Sequence, residues 1–105
     1  MKKISVIIPC FNRVDTLEET LTALQACDPR PHEVLLIDQS NAPFDEQICC
    51  MIEKYKNLYV RYLHLENPSS AHARNVGIDE CNGDIIVFMD DDVTVPNDIF
   101  AKIKI

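Results

Sequence analysis

Apolar and polar residues fall into blocks along this chain that predict four strands separated by three helices. Continuous runs of β-branched residues are typical of strands in a parallel sheet, and apolar residues at three- and four-residue intervals are typical of amphipathic helices. The predicted strands are residues 3–9, 33–38, 58–65 and 85–89, and the predicted helices are residues 16–27, 44–56 and 70–81. The spacing of Asp15 and Glu18 predicts a capping box at the first helix. A further helix is predicted to begin at Pro96.

This alternation predicts an α/β fold with a mostly parallel sheet, because right-handed crossovers place each helix against the sheet. The expected strand order is 3-2-1-4, with helices on both faces in a Rossmann-like, three-layer arrangement. The fourth strand is so apolar that we expect it to be covered on both of its faces. Its outer edge should stay open to another chain or to further sequence, and pairing of two such edges would give a homo-oligomer.

Acidic residues follow two of the predicted strands. Asp38 ends the second strand, and three consecutive acids at residues 90–92 follow the fourth. Ligands of open α/β sheets bind at the carboxyl ends of the strands, where these acids should meet the loop after the first strand. Adjacent carboxylates repel one another unless a cation compensates, and Mg²⁺ or Mn²⁺ would bind them together with phosphate oxygens. The alternative is that the acids only cap a helix or form a turn.

Composition and charge narrow the classes of partner. The chain has 105 residues and a net charge of −7, with its basic residues scattered, which disfavours nucleic acid as a partner. The apolar run near the amino terminus is short and ends at Pro9 without a cleavage site, so we predict a first strand of a cytoplasmic protein without a membrane span. The five cysteines have no C-x-x-C spacing, which argues against a zinc site.

Four motifs resemble the N-terminal half of family 2 glycosyltransferases with the GT-A fold. They are SVIIPCFN at residues 5–12, LLIDQS at 35–40, ENPSSAHARNVGI at 66–78 and GDIIVFMDDD at 83–92. They occur in the order of that family and span nearly the whole chain. The resemblance implies that residues 1–105 form the nucleotide-sugar-binding half-domain.

The resemblance also implies roles for individual residues. Those implied to bind the nucleotide sugar are Pro9, Phe11, Asn12, Asp38, Arg74, Asn75, Asp90 and Asp91, and the implied metal ligands are Asp92 and Asp90. Asp38 would bind the base, although it could instead accept hydrogen bonds from its own turn. The triplet matches the D-x-D motif in two registers, so Asp92 is the preferred metal ligand and its two neighbours share the other roles. The implied cofactor is Mn²⁺ or Mg²⁺.

The implied reaction transfers a sugar, with inversion, from a nucleoside diphosphate sugar to an acceptor hydroxyl. UDP-sugars are the commonest donors of the family, and the acceptor would be a glycan or a lipid-linked sugar, with peripheral membrane association of a full-length protein. The family's general base lies beyond residue 105, so we expect a donor-binding part that does not transfer sugar alone. The chain departs from the family at Pro68, Ser69 and Ser70, in a loop where glycine is common, and mildly at Gln39, which replaces the more usual acid or amide partner after Asp38.

Two other functions fit parts of the sequence. Asp90, Asp92 and Thr94 have the spacing of the nucleophile motif of haloacid-dehalogenase-like phosphatases, in which the first acid attacks a phosphate. A module that binds a nucleotide sugar or a protein partner without catalysis is the other alternative.

Overall fold

The computed structural model describes residues 2–103, in which four strands alternate with three α-helices. The strands are β1 (Ile4–Cys10), β2 (Glu33–Asp38), β3 (Val60–His64) and β4 (Ile85–Phe88). The helices are α1 (Asp15–Gln25), α2 (Phe44–Ile52) and α3 (Ser70–Glu80), and a 3₁₀ turn follows at Ile99–Ala101. The predicted order of elements is confirmed, with ends that differ by up to four residues from the sequence-based bounds.

All four strands are parallel and form one sheet in the order β3-β2-β1-β4. In register, Ile7 of β1 lies between Leu35 of β2 and Phe88 of β4. The predicted order is therefore confirmed. β1 lies inside the sheet, and its carboxyl end is next to those of both β2 and β4.

Helices cover both faces of the sheet. Side chains alternate along a strand, so Val6 and Ile8 point to one face and Ile7 to the other. The first face packs against α1 and α2, whose core residues include Leu21 and Ile48. The second face packs against α3 through Ala73. Within residues 2–103 no helix is both long and apolar enough to cross a bilayer.

Gly77 lets α3 approach the sheet closely. A Cβ at this position would lie 2.6 Å from Cγ2 of Ile7, a side chain with no exposed surface. Real Cβ atoms do not approach other carbons so closely, so a larger residue would push α3 away from β1. The position of α3 matters because the helix carries Arg74 towards the carboxyl end of the sheet.

A buried carboxylate joins the elements at the opposite end of the sheet. Glu33 has no exposed surface, and its Oε2 accepts hydrogen bonds from Oγ of Ser5 at 2.7 Å and from the N–H of Asn82 at 2.6 Å. Oε1 lies 3.3 Å from Nη1 of Arg61. Burial alone raises the pKa of Glu33, but these hydrogen bonds and the charge of Arg61 outweigh it, so that the pKa lies below its usual value.

Three local predictions were wrong. β4 is covered only in part: Val87 packs against one core cluster and Ile86 against the other, but both are half-buried and Phe88 is 46% exposed. Asp15 does not cap α1, because the helix already includes it and Val14 occupies the N-cap without a side-chain bond. No α-helix begins at Pro96: the carbonyl of Asn97 accepts the N–H of Asp28, and a single 3₁₀ turn follows. The last two residues predicted for that helix lie outside the described range.

Candidate functional site

An open cleft of about 340 Å³ lies at the carboxyl ends of β1 and β4. It forms where the prediction placed it, because the parallel strands deliver their following loops to one edge of the sheet. Its lining residues are Pro9, Cys10, Phe11, Arg13, Gln39, Ser70, Arg74, Asp90, Asp91 and Asp92.

The acidic triplet forms one wall of this cleft. Asp90 and Asp92 are exposed, whereas Asp91 is 8% exposed and its Oδ2 accepts the N–H of Phe11 at 3.4 Å. Burial raises the pKa of Asp91, although the N–H of Phe11 and the charge of Arg13 oppose the rise. The triplet is therefore held against the loop after β1 and is not a cap for a following helix.

Arg13 is a member of the cleft that the sequence-based prediction missed. Its Nη1 lies 3.1 Å from Oδ2 of Asp92 and 3.6 Å from Oδ1 of Asp91. The Arg13 side chain is 54% exposed, and exposed ion pairs contribute at most about 1 kcal/mol. The guanidinium can therefore leave the carboxylates at small cost. Its place two residues after Phe11 could have identified it, because the fold brings that loop to the triplet.

Phe11 and Arg74 add two other kinds of surface to the cleft. Phe11 is 41% exposed, so part of its aromatic surface is accessible for stacking. Arg74 reaches the cleft from α3 and adds a second positive charge to that of Arg13. The predicted residue Pro9 also lines the cleft.

Asp38 is placed differently from the other predicted residues. It is fully buried, and its carboxylate accepts hydrogen bonds from the hydroxyl of Tyr62 at 2.6 Å, the N–H of Ser40 at 3.0 Å and the thiol of Cys10 at 3.4 Å. Burial and the adjacent carboxylate raise the pKa of both Cys10 and Tyr62, so that each keeps its proton. The bond from Ser40 is the turn contact considered as the alternative for Asp38.

Asn12 and Asn75 lie away from the lining of the cleft. Asn12 has a left-handed backbone with φ of 52°, its N–H donates to Oγ of Ser40 at 2.8 Å, and its Oδ1 accepts the N–H of Asn41 at 2.9 Å. It therefore joins the loop after β1 to the loop after β2. Asn75 is exposed on α3 next to Arg74. Their contact with a nucleotide stays a prediction.

The oxygen donors of the triplet have the right chemistry for Mg²⁺ or Mn²⁺. Among residues 2–103, however, no three acidic, histidine or cysteine side chains converge on one point as a complete metal site. Mg²⁺ commonly binds through one or two carboxylates together with the phosphates of a ligand. The triplet therefore fits a metal that a bound diphosphate would help to hold.

Comparison with known proteins identifies the family. The model of the family described as glycosyl transferase family 2 matches residues 5–103. The chain belongs to glycosyl transferase family 2. This assignment confirms the family resemblance of the four motifs, and it favours a glycosyltransferase over the phosphatase-like alternative.

A relative from Rickettsia felis, named as an uncharacterized glycosyltransferase, is 34% identical over 103 residues. The alignment covers 98% of this chain and 16% of that protein. Among the first relatives matched, the chain covers no more than about a third of their length, with 32% for YwdF of Bacillus subtilis. This family 2 chain therefore corresponds to a part of those proteins.

Two solved structures have the same fold. The mannosyltransferase PcManGT from Pyrobaculum calidifontis, in complex with GDP-Man and Mn²⁺, superposes with a TM-score of 0.84 at 26% identity, covering 95% of this chain and 30% of that one. TarS 1-349 of S. aureus, in complex with UDP-GlcNAc, gives 0.78 at 28% identity, covering 94% and 29%. The GT-A type of α/β fold is thereby confirmed for this family 2 chain.

Proposed function

We propose that this chain forms the donor side of a glycosyltransferase and binds a nucleoside diphosphate sugar in the cleft at the ends of β1 and β4. The observation that carries the proposal is the combination of surfaces in one cleft. Phe11 offers an aromatic face for a base, Arg13 and Arg74 offer cations for phosphates, and the acidic triplet offers metal ligands. The two structural neighbours bind GDP-Man and UDP-GlcNAc, which supports the same ligand class here.

The charges in the cleft support metal-dependent binding. Three carboxylates face two guanidinium groups, so a diphosphate entering the cleft meets a net negative wall. A divalent cation held at Asp92 would reverse that repulsion and would stabilise the charge of the diphosphate leaving group. We propose Asp92 as the principal ligand, with Asp90 or Asp91 sharing the remaining contacts.

Arg13 would then change partners. In the structure its guanidinium neutralises Asp92 at 3.1 Å. A metal at the same carboxylate would repel it, and the nearest anions would be the donor phosphates. Arg13 and Arg74 would thus hold the diphosphate from two sides of the cleft, which orients the sugar for attack by an acceptor hydroxyl of a glycan or lipid-linked sugar with inversion.

Asp38 would act at the base end of the cleft. Its buried carboxylate orders the turn after β2 through Ser40, whose Oγ in turn accepts the N–H of Asn12. This connection sets the shape of the two loops beside Phe11. A direct contact between Asp38 and the base would require one of its present hydrogen-bond donors to move away.

Calorimetric titration with UDP and GDP, each with and without Mn²⁺, tests the proposal. We expect binding that needs Mn²⁺ and that weakens about 10- to 100-fold in Asp92→Asn, because a lost contact to a charged group costs about 1.5–3 kcal/mol. Asp79→Asn is the matched control, since Asp79 is an exposed acid on α3 and the charge change is the same.

Two results would contradict the proposal. One is the absence of any binding of UDP or GDP by the wild-type chain when Mn²⁺ is present. The other is Mn²⁺-dependent binding that is equally tight in Asp92→Asn and Asp79→Asn, which would place the metal elsewhere.

A further inference from the structure

Gln39 connects two walls of the cleft through its side-chain amide. It is 4% exposed at the carboxyl end of β2 and lines the cleft. Its Nε2 donates to the carbonyl of Asn67 at 3.0 Å and to the carbonyl of Ser69 at 3.1 Å. One amide thus uses both of its protons on the loop that precedes α3.

That loop leads directly into the helix that carries Arg74. Ser69 is the N-cap of α3, where its Oγ accepts the N–H of His72 at 3.3 Å and its carbonyl accepts the N–H of Ala73 at 2.9 Å. Arg74 follows within the first turns and faces the cleft. A bond that fixes the carbonyl of Ser69 therefore fixes the start of α3 relative to the sheet.

The chemistry of the loop explains why an amide is needed at position 39. Pro68 has no N–H, and residues 66–70 are exposed, so the loop has few internal contacts that define its path. A carboxylate at position 39 would face two carbonyl oxygens and repel both. An apolar residue would leave them to water, which would not fix the loop in one position.

We propose that Gln39 is a positioning residue that holds the loop 66–69 and thereby places Arg74 for contact with the diphosphate of the donor. This inference rests on the proposed function, because it assumes that Arg74 meets a phosphate. Gln39 acts through the helix start and needs no contact of its own with the ligand.

A double-mutant cycle tests whether Gln39 acts through Arg74. Gln39→Met has a similar size and no charge but donates no hydrogen bond, and we expect it to lower nucleotide affinity about tenfold. In the Arg74→Met background the same change should lower affinity less than about twofold, because the group being positioned is already absent. Gln47→Met, an exposed glutamine on α2, is the matched control.

Hydrogen exchange gives a second readout that needs no nucleotide. The amides of His72 and Ala73 donate to Ser69, so their exchange should be about tenfold faster in Gln39→Met and unchanged in Gln47→Met. Circular dichroism checks that each variant folds. Gln39→Asn, whose amide is too short to reach both carbonyls, is the second variant and should give the same result.

The outcomes separate this inference from the proposed function. Failure of the wild-type chain to bind UDP or GDP with Mn²⁺ would overturn the proposed function and with it the role of Arg74. Unchanged exchange at His72 and Ala73 in the Gln39 variants would overturn the positioning role itself. If exchange is faster but the affinity losses of Gln39→Met and Arg74→Met simply add in the double variant, Gln39 does not act through Arg74.

Discussion

Replacement of Glu33 by glutamine should destabilise the fold, because the residue is a buried anion with three hydrogen-bond donors. The side-chain amide of the introduced glutamine can keep its oxygen towards Ser5 and Asn82. Its NH₂ group then faces the guanidinium of Arg61, and two donors cannot bond to each other. Loss of that bond costs about 1.5–3 kcal/mol, and the weaker bonds to the neutral oxygen add about 0.5–1 kcal/mol. We expect Glu33→Gln to lower the free energy of unfolding by about 2–4 kcal/mol, close to the range for breaking a buried ion pair.

Glu80→Gln provides the comparison. Glu80 pairs with the same guanidinium, at 3.4 Å from Nη2 of Arg61, but its side chain is 49% exposed. Exposed ion pairs contribute about 0–1 kcal/mol, so this variant should be almost as stable as the wild type. Urea unfolding is best followed by circular dichroism, because the chain has no tryptophan and only three tyrosines.

The pH dependence of the stability difference between the wild type and Glu33→Gln is a stricter test. The pKa of Glu33 is lowered in the folded chain, so its charge stabilises the fold above the usual glutamate pKa of about 4.3. That contribution is lost as the pH falls below this value and through the folded pKa. The stability gap between wild type and Glu33→Gln should therefore be largest near neutral pH and should narrow below about pH 4. A gap that is equal at pH 7 and pH 3, or no larger than that of Glu80→Gln, would refute this account of Glu33.

Two further substitutions test the packing around the cleft. Gly77→Ala should lower the free energy of unfolding by about 1–2 kcal/mol, because overpacking against the buried Ile7 outweighs the gain in helix propensity. A urea midpoint equal to that of the wild type would contradict this expectation and show that Ile7 repacks freely. Tyr62→Phe should cost about 1.5–3 kcal/mol by removing the hydroxyl bond to the buried Asp38, whereas Tyr59→Phe, at a side chain 61% exposed, should change stability by less than about 0.5 kcal/mol. Equal stability of the two tyrosine variants would contradict the proposed order around Asp38.

The sequence by itself determined the order of elements, the parallel sheet and the region of the cleft. These features follow from local patterns: β-branched runs for strands, three- and four-residue spacing for helices, and the handedness of the crossovers for the strand order. The family, too, was accessible from the sequence, because its motifs fall at the ends of the strands. Even the missed residue Arg13 lies in a loop that the strand order brings to the triplet.

Only the tertiary structure decided which polar side chains face the cleft and which are buried. Asp38 and Asp92 both follow a strand, but one is enclosed by Tyr62 and Cys10 and the other is exposed beside Arg13. Such a difference depends on residues 24 to 79 positions apart in the chain, whose proximity no local pattern encodes. The exposure of Phe88 on β4 and the bonds from Gln39 to the loop before α3 have the same origin. They arise from the packing of distant segments, whereas hydrophobic periodicity reports only on neighbours along the chain.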